Sequence, residues 1–302
     1  MSLGIITFTS GKKLMTSLPW FQTFAPLVNK LNFDRWPDCD DLNSLLETAE
    51  GDIKNARGQP IRFVPQHRKP RVFEEGFEQS AYLRGEVLVR RNNWHDLINA
   101  LVWMRFPKTK AALNARHFTV LKRNNVQGRS SEGDALTIFD ESGVIIISRN
   151  EDLVDRLSGH RWVDLFWRHR EQFIDDVQVV LFGHGLLEKS MTPFVGMTGK
   201  AVVVSVPKES KCFEAGVDQD IDVLTEILVS RTDLMTSGRG FFSLPVLGVP
   251  GWWTENERLD FYQNQQYFRP NKNNANDASL RRNEIVVVQS YAGTMAFDTT
   301  MT

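Results

Sequence analysis

The 302-residue sequence predicts an α+β fold, a helix-rich single domain with a small antiparallel sheet and a helical hairpin at 93–118. Three observations lead there. Apolar residues recur at three- and four-residue steps through most of the chain, the spacing of helix faces turned to a core. Only a few short apolar runs rich in β-branched residues interrupt them, chiefly around 135–148 and 200–206. Helices and strands do not alternate regularly enough for a doubly wound sheet.

Residues 1–18 read as an extended or disordered start, ahead of a single globular domain over 19–270. Within it, Phe21, Phe24, Leu27, Val28 and Leu31 keep helical spacing, and a helix is expected from Asp41 to Ala49. "QPIRFVPQHRKPRV" holds three prolines and reads as extended chain. "FEEGFEQSAYLRGE" is a short helix ending near Gly85. In "NWHDLINALVWMRFP", Asn93 is an N-cap, and Asp96 three residues on resembles the acidic partner of a capping box. Trp94, Leu97, Ile98, Leu101 and Met104 form one buried stripe, and Pro107 ends the helix. "KTKAALNARHFTVLKR" is a second helix, which completes the hairpin.

"DALTIFDESGVIIISRN" reads as a β-hairpin from Ala135 to Ser148, two apolar runs around a "DESG" turn. Asn150 caps a helix through Leu157, and "WVDLFWRHREQFIDD" continues as an amphipathic helix. "VQVVLFGHGLLEKSM" passes from a strand into a helix containing His184 and Glu188. "KAVVVSVP" is a strand, and "DQDIDVLTEILVSR" a strongly periodic helix. "LPVLGVPGWW" is a Pro/Gly-punctuated apolar loop. After Pro270 the chain is rich in asparagine and poor in apolar residues, so 271–302 reads as a disordered tail.

A formal net charge of -1 gives no global attraction to nucleic acid or an acidic membrane. The two cysteines, Cys39 and Cys212, are far apart and outside any CxxC pattern. That argues against a zinc knuckle or disulfide scaffold and favours a reducing cytoplasm. No apolar run reaches the roughly 18 residues of a membrane span. The N-terminus lacks the charged region that opens a signal peptide.

Taken in order, "IRFV", "NWHDLINALVWMRFPKTKAALNARH", "GDALTIFDESG", "LFGHGLLEK" and "LPVLGVPGWWTENERLDFYQNQQYFRP" resemble the signatures of one family. It is the proteobacterial family called domain of unknown function 3025, and the resemblance runs from Pro19 to Pro270. It implies a bacterial, cytoplasmic protein and carries over no catalytic assignment.

The candidate chemistry must therefore come from the residues. His95 and Asn99 lie one helical turn apart, and Asn114 and His117 are at i, i+3 on the next helix, so the hairpin can bring both polar pairs together. That makes a pocket whose imidazoles serve as acid/base groups or metal ligands. The alternative is interhelical hydrogen bonding, with Asp96 as a cap. His184 and Glu188, at i, i+4, can present two ligands to one ion, and Gly183 and Gly185 allow close backbone approach. No HExxH is present, and a third ligand must come from His95, His117 or Asp134. No metal set is assigned, and the cofactor is left open. Asp134 and Asp140 border the expected strand at opposite ends, too far apart for paired work, and Asp140 reads as a turn residue.

From Leu97 to Ser131 there is no Asp or Glu, while Arg105, Lys108, Lys110, Arg116, Lys122, Arg123 and Arg129 fall there. The run suggests an anion-attracting surface, or one packed against the acidic stretch between Asp34 and Asp52. Nucleic acid is disfavoured, because aromatic residues are sparse in it. "GMTGKA" lacks the spacing of a phosphate-cradling loop, and neither GxSxG nor GxGxxG occurs. Trp252 and Trp253 form either a rigid core wall or an aromatic floor for a ligand.

Two functions follow as expectations. The first is a hydrolase-type or phosphate-ester-acting enzyme. His95, His117 and His184 are its catalytic candidates, and Asn99, Asn114, Arg116, Arg129 and Trp252 its ligand-binding ones. The second is a non-catalytic module that binds an anionic small molecule or a protein partner through the basic hairpin.

Overall fold

The computed structural model describes residues 7–49, 51–66, 68–127, 130–210, 218–231, 235–238, 240–270 and 285–287. Among the described residues, the expected extended start is helical over 8–17. Thr7 caps α1 (Phe8–Ser17), whose Phe8 and Met15 are buried. Phe8 stacks on Phe33 and Trp36 and touches Trp94. With only Phe8, Leu14 and Met15 as large apolar residues, the segment gives a weak sequence signal, and Phe8 is buried by the rings it meets. After a 3-10 turn come α2 (Ala25–Val28) and α3 (Cys39–Glu47).

β1 (Arg62–Pro65) and β2 (Glu86–Val89) pair in parallel across α4 (Phe77–Arg84). Gly85 ends α4 at φ 72, and a Cβ there would lie 2.1 Å from the Pro60 carbonyl oxygen. Left-handed geometry and close backbone approach both require glycine at that position. The helical hairpin is α5 (Trp94–Arg105) and α6 (Pro107–Gln127), separated only by Phe106.

The expected β-hairpin at 135–148 is instead α7 (Ser131–Ser142) running directly into β3 (Gly143–Ser148). Ser130 caps α7 through the Gly133 amide, and Ala135, Leu136, Phe139 and Asp140 make its buried face. A short apolar run such as "ALTIF" suits a buried helix turn as well as a strand, and the periodicity does not separate them. Every residue of β3 is buried, as befits a central strand with both faces covered.

There follow α8 (Glu151–Ser158), a π-helical turn (Asp164–Arg168), α9 (Arg170–Asp176), β4 (Val177–Leu181), α10 (His184–Ser190), β5 (Thr198–Ser205) and α11 (Asp218–Ser230). The amphipathic segment 162–176 is thus two pieces, broken at His169. β6 (Phe242–Pro245), α12 (Leu259–Tyr262) and β7 (Ile285–Val287) are the last elements among the described residues.

The larger sheet has the order β4-β3-β5-β6, with β7 also on β5. It is mixed rather than antiparallel: β3 and β5 run parallel, and β4 and β6 are antiparallel to their neighbours. β7 pairs in parallel with Val203–Ser205, so the expected disordered tail contributes a strand. No described helix is long and apolar enough to cross a membrane.

Candidate functional site

The register of β3 with β4 builds the site. Because Val144 pairs with Leu181, the end of β4 lies beside the start of β3. The C-terminus of α7 therefore meets the N-terminus of α10. The Phe182 and Gly183 amides both donate to the Gly143 carbonyl, at 3.0 and 2.9 Å. A Cβ on Gly183 would lie 2.4 Å from the Gly143 nitrogen, and one on Gly185 would lie 2.1 Å from Glu141 Oε2. Gly183→Ala is accordingly expected to destabilise by about 1–3 kcal/mol, read as a fall in the urea midpoint. An unchanged midpoint would show that the two segments can separate freely.

α5 packs across α10. His95, in the first turn of α5, meets His184, the first residue of α10, with Nε2 to Nε2 at 3.0 Å. Glu141 Oε1, in the last turn of α7, is 3.6 Å from His95 Nε2 and 3.5 Å from His184 Nε2. The far nitrogen of His95, Nδ1, is 3.0 Å from Glu188 Oε2. A carboxylate only accepts, so Nδ1 carries the proton. His184 Nδ1 faces Asp140 Oδ1 at 3.8 Å, without a hydrogen bond, which favours the proton on that nitrogen too. The 3.0 Å contact between the two Nε2 atoms is bridged either by a proton that one imidazole donates to the other or by a metal ion, with Glu141 Oε1 beside both.

The surrounding charge divides the two imidazoles. The Glu188 hydrogen bond, helped by the fields of Glu141 and Asp96, raises His95 above the usual imidazole value against partial burial. Burial pushes His184 down to about 4, with Asp140 opposing and Lys110 and His95 adding to the effect. Burial also raises Glu141. The surroundings thus favour the charged form of His95 and the neutral form of His184.

Behind His184 lies a buried ion pair, Lys110 Nζ to Asp140 Oδ1 at 2.6 Å. Burial alone would raise Asp140, but Lys110, His184 and His117 hold it at about 2. Lys110, Asn114 and His117 form one stripe of α6, at i, i+4 and i+7. Ligand atoms of His117, Asp140 and Glu78 gather within 4.8 Å of one another, and Asn114 Nδ2 donates to Glu78 Oε2 at 2.6 Å. Asp140 thus stands between His184 and His117, while His95 meets His184 alone. Asp140, a turn residue by its sequence context, is central, and nothing in the sequence singles out Glu141.

The other candidates fall elsewhere. Asn99 is buried one turn beyond His95, with its Oδ1 lacking a hydrogen-bond partner. Arg116 turns to α11, donating to the Val229 and Arg231 carbonyls and to Glu132. There it lines a separate cavity of about 810 Å³ on another face of α6. Arg129 lies outside the described residues, as does Cys212. Trp252 rests on Trp20, and the loop before it is tied down by Asn256, Tyr262 and Tyr267, as a core wall would be. Asp96 is no capping-box partner: Asn93 accepts from its amide, but its carboxylate takes the backbone, Nε and Nη2 of Arg90. Asp134 sits in the first turn of α7, six residues before Asp140 on the same helix.

No curated protein and no solved structure matches the chain. The family model described as protein of unknown function (DUF3025) matches residues 61–272, a span that holds every residue of the histidine cluster. With most of its length and its whole candidate site inside that match, the chain belongs to the DUF3025 family.

Proposed function

We propose that the chain is a hydrolase-type enzyme whose reacting centre is His95, His184 and Glu141. One observation carries the reading: three groups that bind water or take its proton converge from three separate elements at 3.0–3.6 Å. Buried charge stands behind them, and the His95 and Glu141 side chains remain 28% and 42% exposed, so solvent reaches the front. Such a centre suits the activation of water against an ester. Positive charge lies close by, since Lys189 acts on Glu141 and Arg90 feels Glu188. That favours an ester with a negative group, a phosphate ester first.

A binding module working through the basic hairpin has less support. Lys110 is paired with Asp140, Arg116 and Arg123 share Glu132, and Arg105 donates to the Thr23 carbonyl. We place the protein in the bacterial cytoplasm, on the family resemblance and the free thiol of Cys39.

The test is a panel of phosphomonoesters, phosphodiesters and carboxylic esters, offered to the wild type and to His184→Ala and Glu141→Gln. At least one class should be hydrolysed, with a loss of about 10²–10⁴ in either variant whose melting curve stays cooperative. No turnover of any class, or turnover indifferent to both substitutions, would overturn the reading.

A further inference from the structure

We propose that His95 Nε2, His184 Nε2 and Glu141 Oε1 are the protein ligands of one divalent transition-metal ion. This rests on the catalytic reading of the same cluster and deepens it, by naming the group that would hold the water.

Separation comes first. The three atoms stand 3.0, 3.5 and 3.6 Å apart. A point equidistant from them in their plane is about 2.0 Å from each, just under the 2.0–2.1 Å of a zinc–nitrogen bond. An ion at bonding distance from all three would sit about 0.4–0.8 Å out of that plane. The face beyond it is then open for a fourth ligand, the arrangement of three-ligand catalytic centres.

Direction agrees with separation. A collinear N–H···N bond between two imidazoles at this distance would set the ring centres about 5.3 Å apart. Two imidazoles ligating one ion about 2.1 Å away, at about 90° to each other, would set them about 4.6 Å apart. The observed separation is 4.4 Å, with the planes at 69°. The separation is thus closer to that of two rings turned toward a common point than to that of a collinear hydrogen bond.

The outer layer fits as well. Glu188 accepts from His95 Nδ1, the carboxylate–histidine pairing that fixes a ligand's tautomer at metal centres. Asp140 faces Nδ1 of His184 and favours the same outcome there. Gly185 keeps the N-terminus of α10 clear, so that the Glu141 carboxylate can reach in. Two imidazoles and a carboxylate suit zinc, or iron, cobalt or manganese in the divalent state.

The neighbouring group of Glu78, His117 and Asp140 does not compete. Its Asp140 oxygen already holds the Lys110 ammonium, its Glu78 oxygen already accepts from Asn114, and both His117 and Asp140 are buried. A divalent ion there would meet a buried positive charge.

The experiment takes the full-length protein, stripped by a chelator, and titrates it with Zn2+ by calorimetry and with Co2+ by visible absorption. The expected result is about one ion per chain, with Co2+ bands of low-symmetry nitrogen–oxygen coordination. His184→Ala and Glu141→Gln should lose the ion. Glu188→Gln should keep the stoichiometry and weaken affinity by about 10- to 100-fold. Glu78→Gln should change neither. Glu141 is partly exposed, so Glu141→Gln decides the matter even if His184→Ala fails to fold. No binding of either metal, binding unaltered by Glu141→Gln, or loss of binding in Glu78→Gln would overturn the proposal. Zinc binding without hydrolysis of any ester would leave the metal site standing and remove the catalytic reading. Hydrolysis by the metal-free protein together with no binding of either metal would do the reverse.

Discussion

Asp140→Ala is expected to destabilise the protein by about 3–5 kcal/mol, because it strands the Lys110 ammonium in the interior. The Lys110 side chain is 4% exposed and that of Asp140 10%, so water does not replace the lost partner. Lys110 also lies over the Trp103 ring, at 5.4 Å to its centre, which holds it in place without supplying a counter-charge. Removing both charges with Lys110→Met and Asp140→Leu should cost less than the single substitution, since no bare charge remains. The measurement is urea unfolding of Asp140→Ala, of Lys110→Met and Asp140→Leu singly, and of those last two combined, at pH 7. A double variant as unstable as the sum of the singles would show that the two side chains act independently. Acid should reveal the same pair. Asp140 titrates at about 2 in the folded chain, against about 3.9 for an unfolded aspartate. Its contribution is therefore complete above about pH 4 and is lost as pH falls from there toward 2. In Asp140→Ala that part of the acid transition should disappear.

Deleting residues 1–17 is expected to cost about 3–6 kcal/mol, the burial of Phe8 and Met15 at about 1.5–3 kcal/mol each. The effect should reach the site. A Cβ on Gly11 would lie 2.1 Å from the Trp94 ring, so α1 lies directly against that indole. Trp94 is the residue before His95 and also packs against Trp36. Loss of α1 leaves the first turn of α5 without its cover. Thermal melting of the truncated chain should show a large drop, and an unchanged cooperative transition would mean that α1 adds nothing to the fold.

Much of the site is legible in the sequence, and the missing part has a specific cause. Asn93, the stripe Leu97–Ile98–Leu101 and Pro107 place His95 at the start of a helix followed by a second one, and that is how the chain folds. The glycines around His184 mark a close approach, and the structure supplies what they approach, the end of α7. Glu188 stands out by its spacing from His184, yet its carboxylate goes to His95. Helical periodicity gives the face of a side chain but not its partner on another element. Asp140 and Glu141 are hidden by the resemblance of their segment to a hairpin. In "LTIFDESG" the run of apolar residues fits strand and helix alike, and "DESG" has turn composition. Only the parallel pairing of β3 with β5, a contact across more than fifty residues, requires β3 to begin at Gly143 and leaves the preceding acids on a helix end. The basic stretch 105–129 is legible as composition but not as surface. Arg105 reaches back to the Thr23 carbonyl, and Asp140, Glu132 and the Val229 carbonyl, which take Lys110, Arg116 and Arg123, lie on elements later in the chain.

The proposed metal centre is tested most directly by anomalous diffraction at the zinc edge, from crystals of the full-length protein grown with Zn2+. One strong peak is expected, about 2.0–2.1 Å from His95 Nε2, His184 Nε2 and Glu141 Oε1, with the Glu188 carboxylate still on His95 Nδ1. A peak among Glu78, His117 and Asp140, or none near the paired histidines, would contradict it.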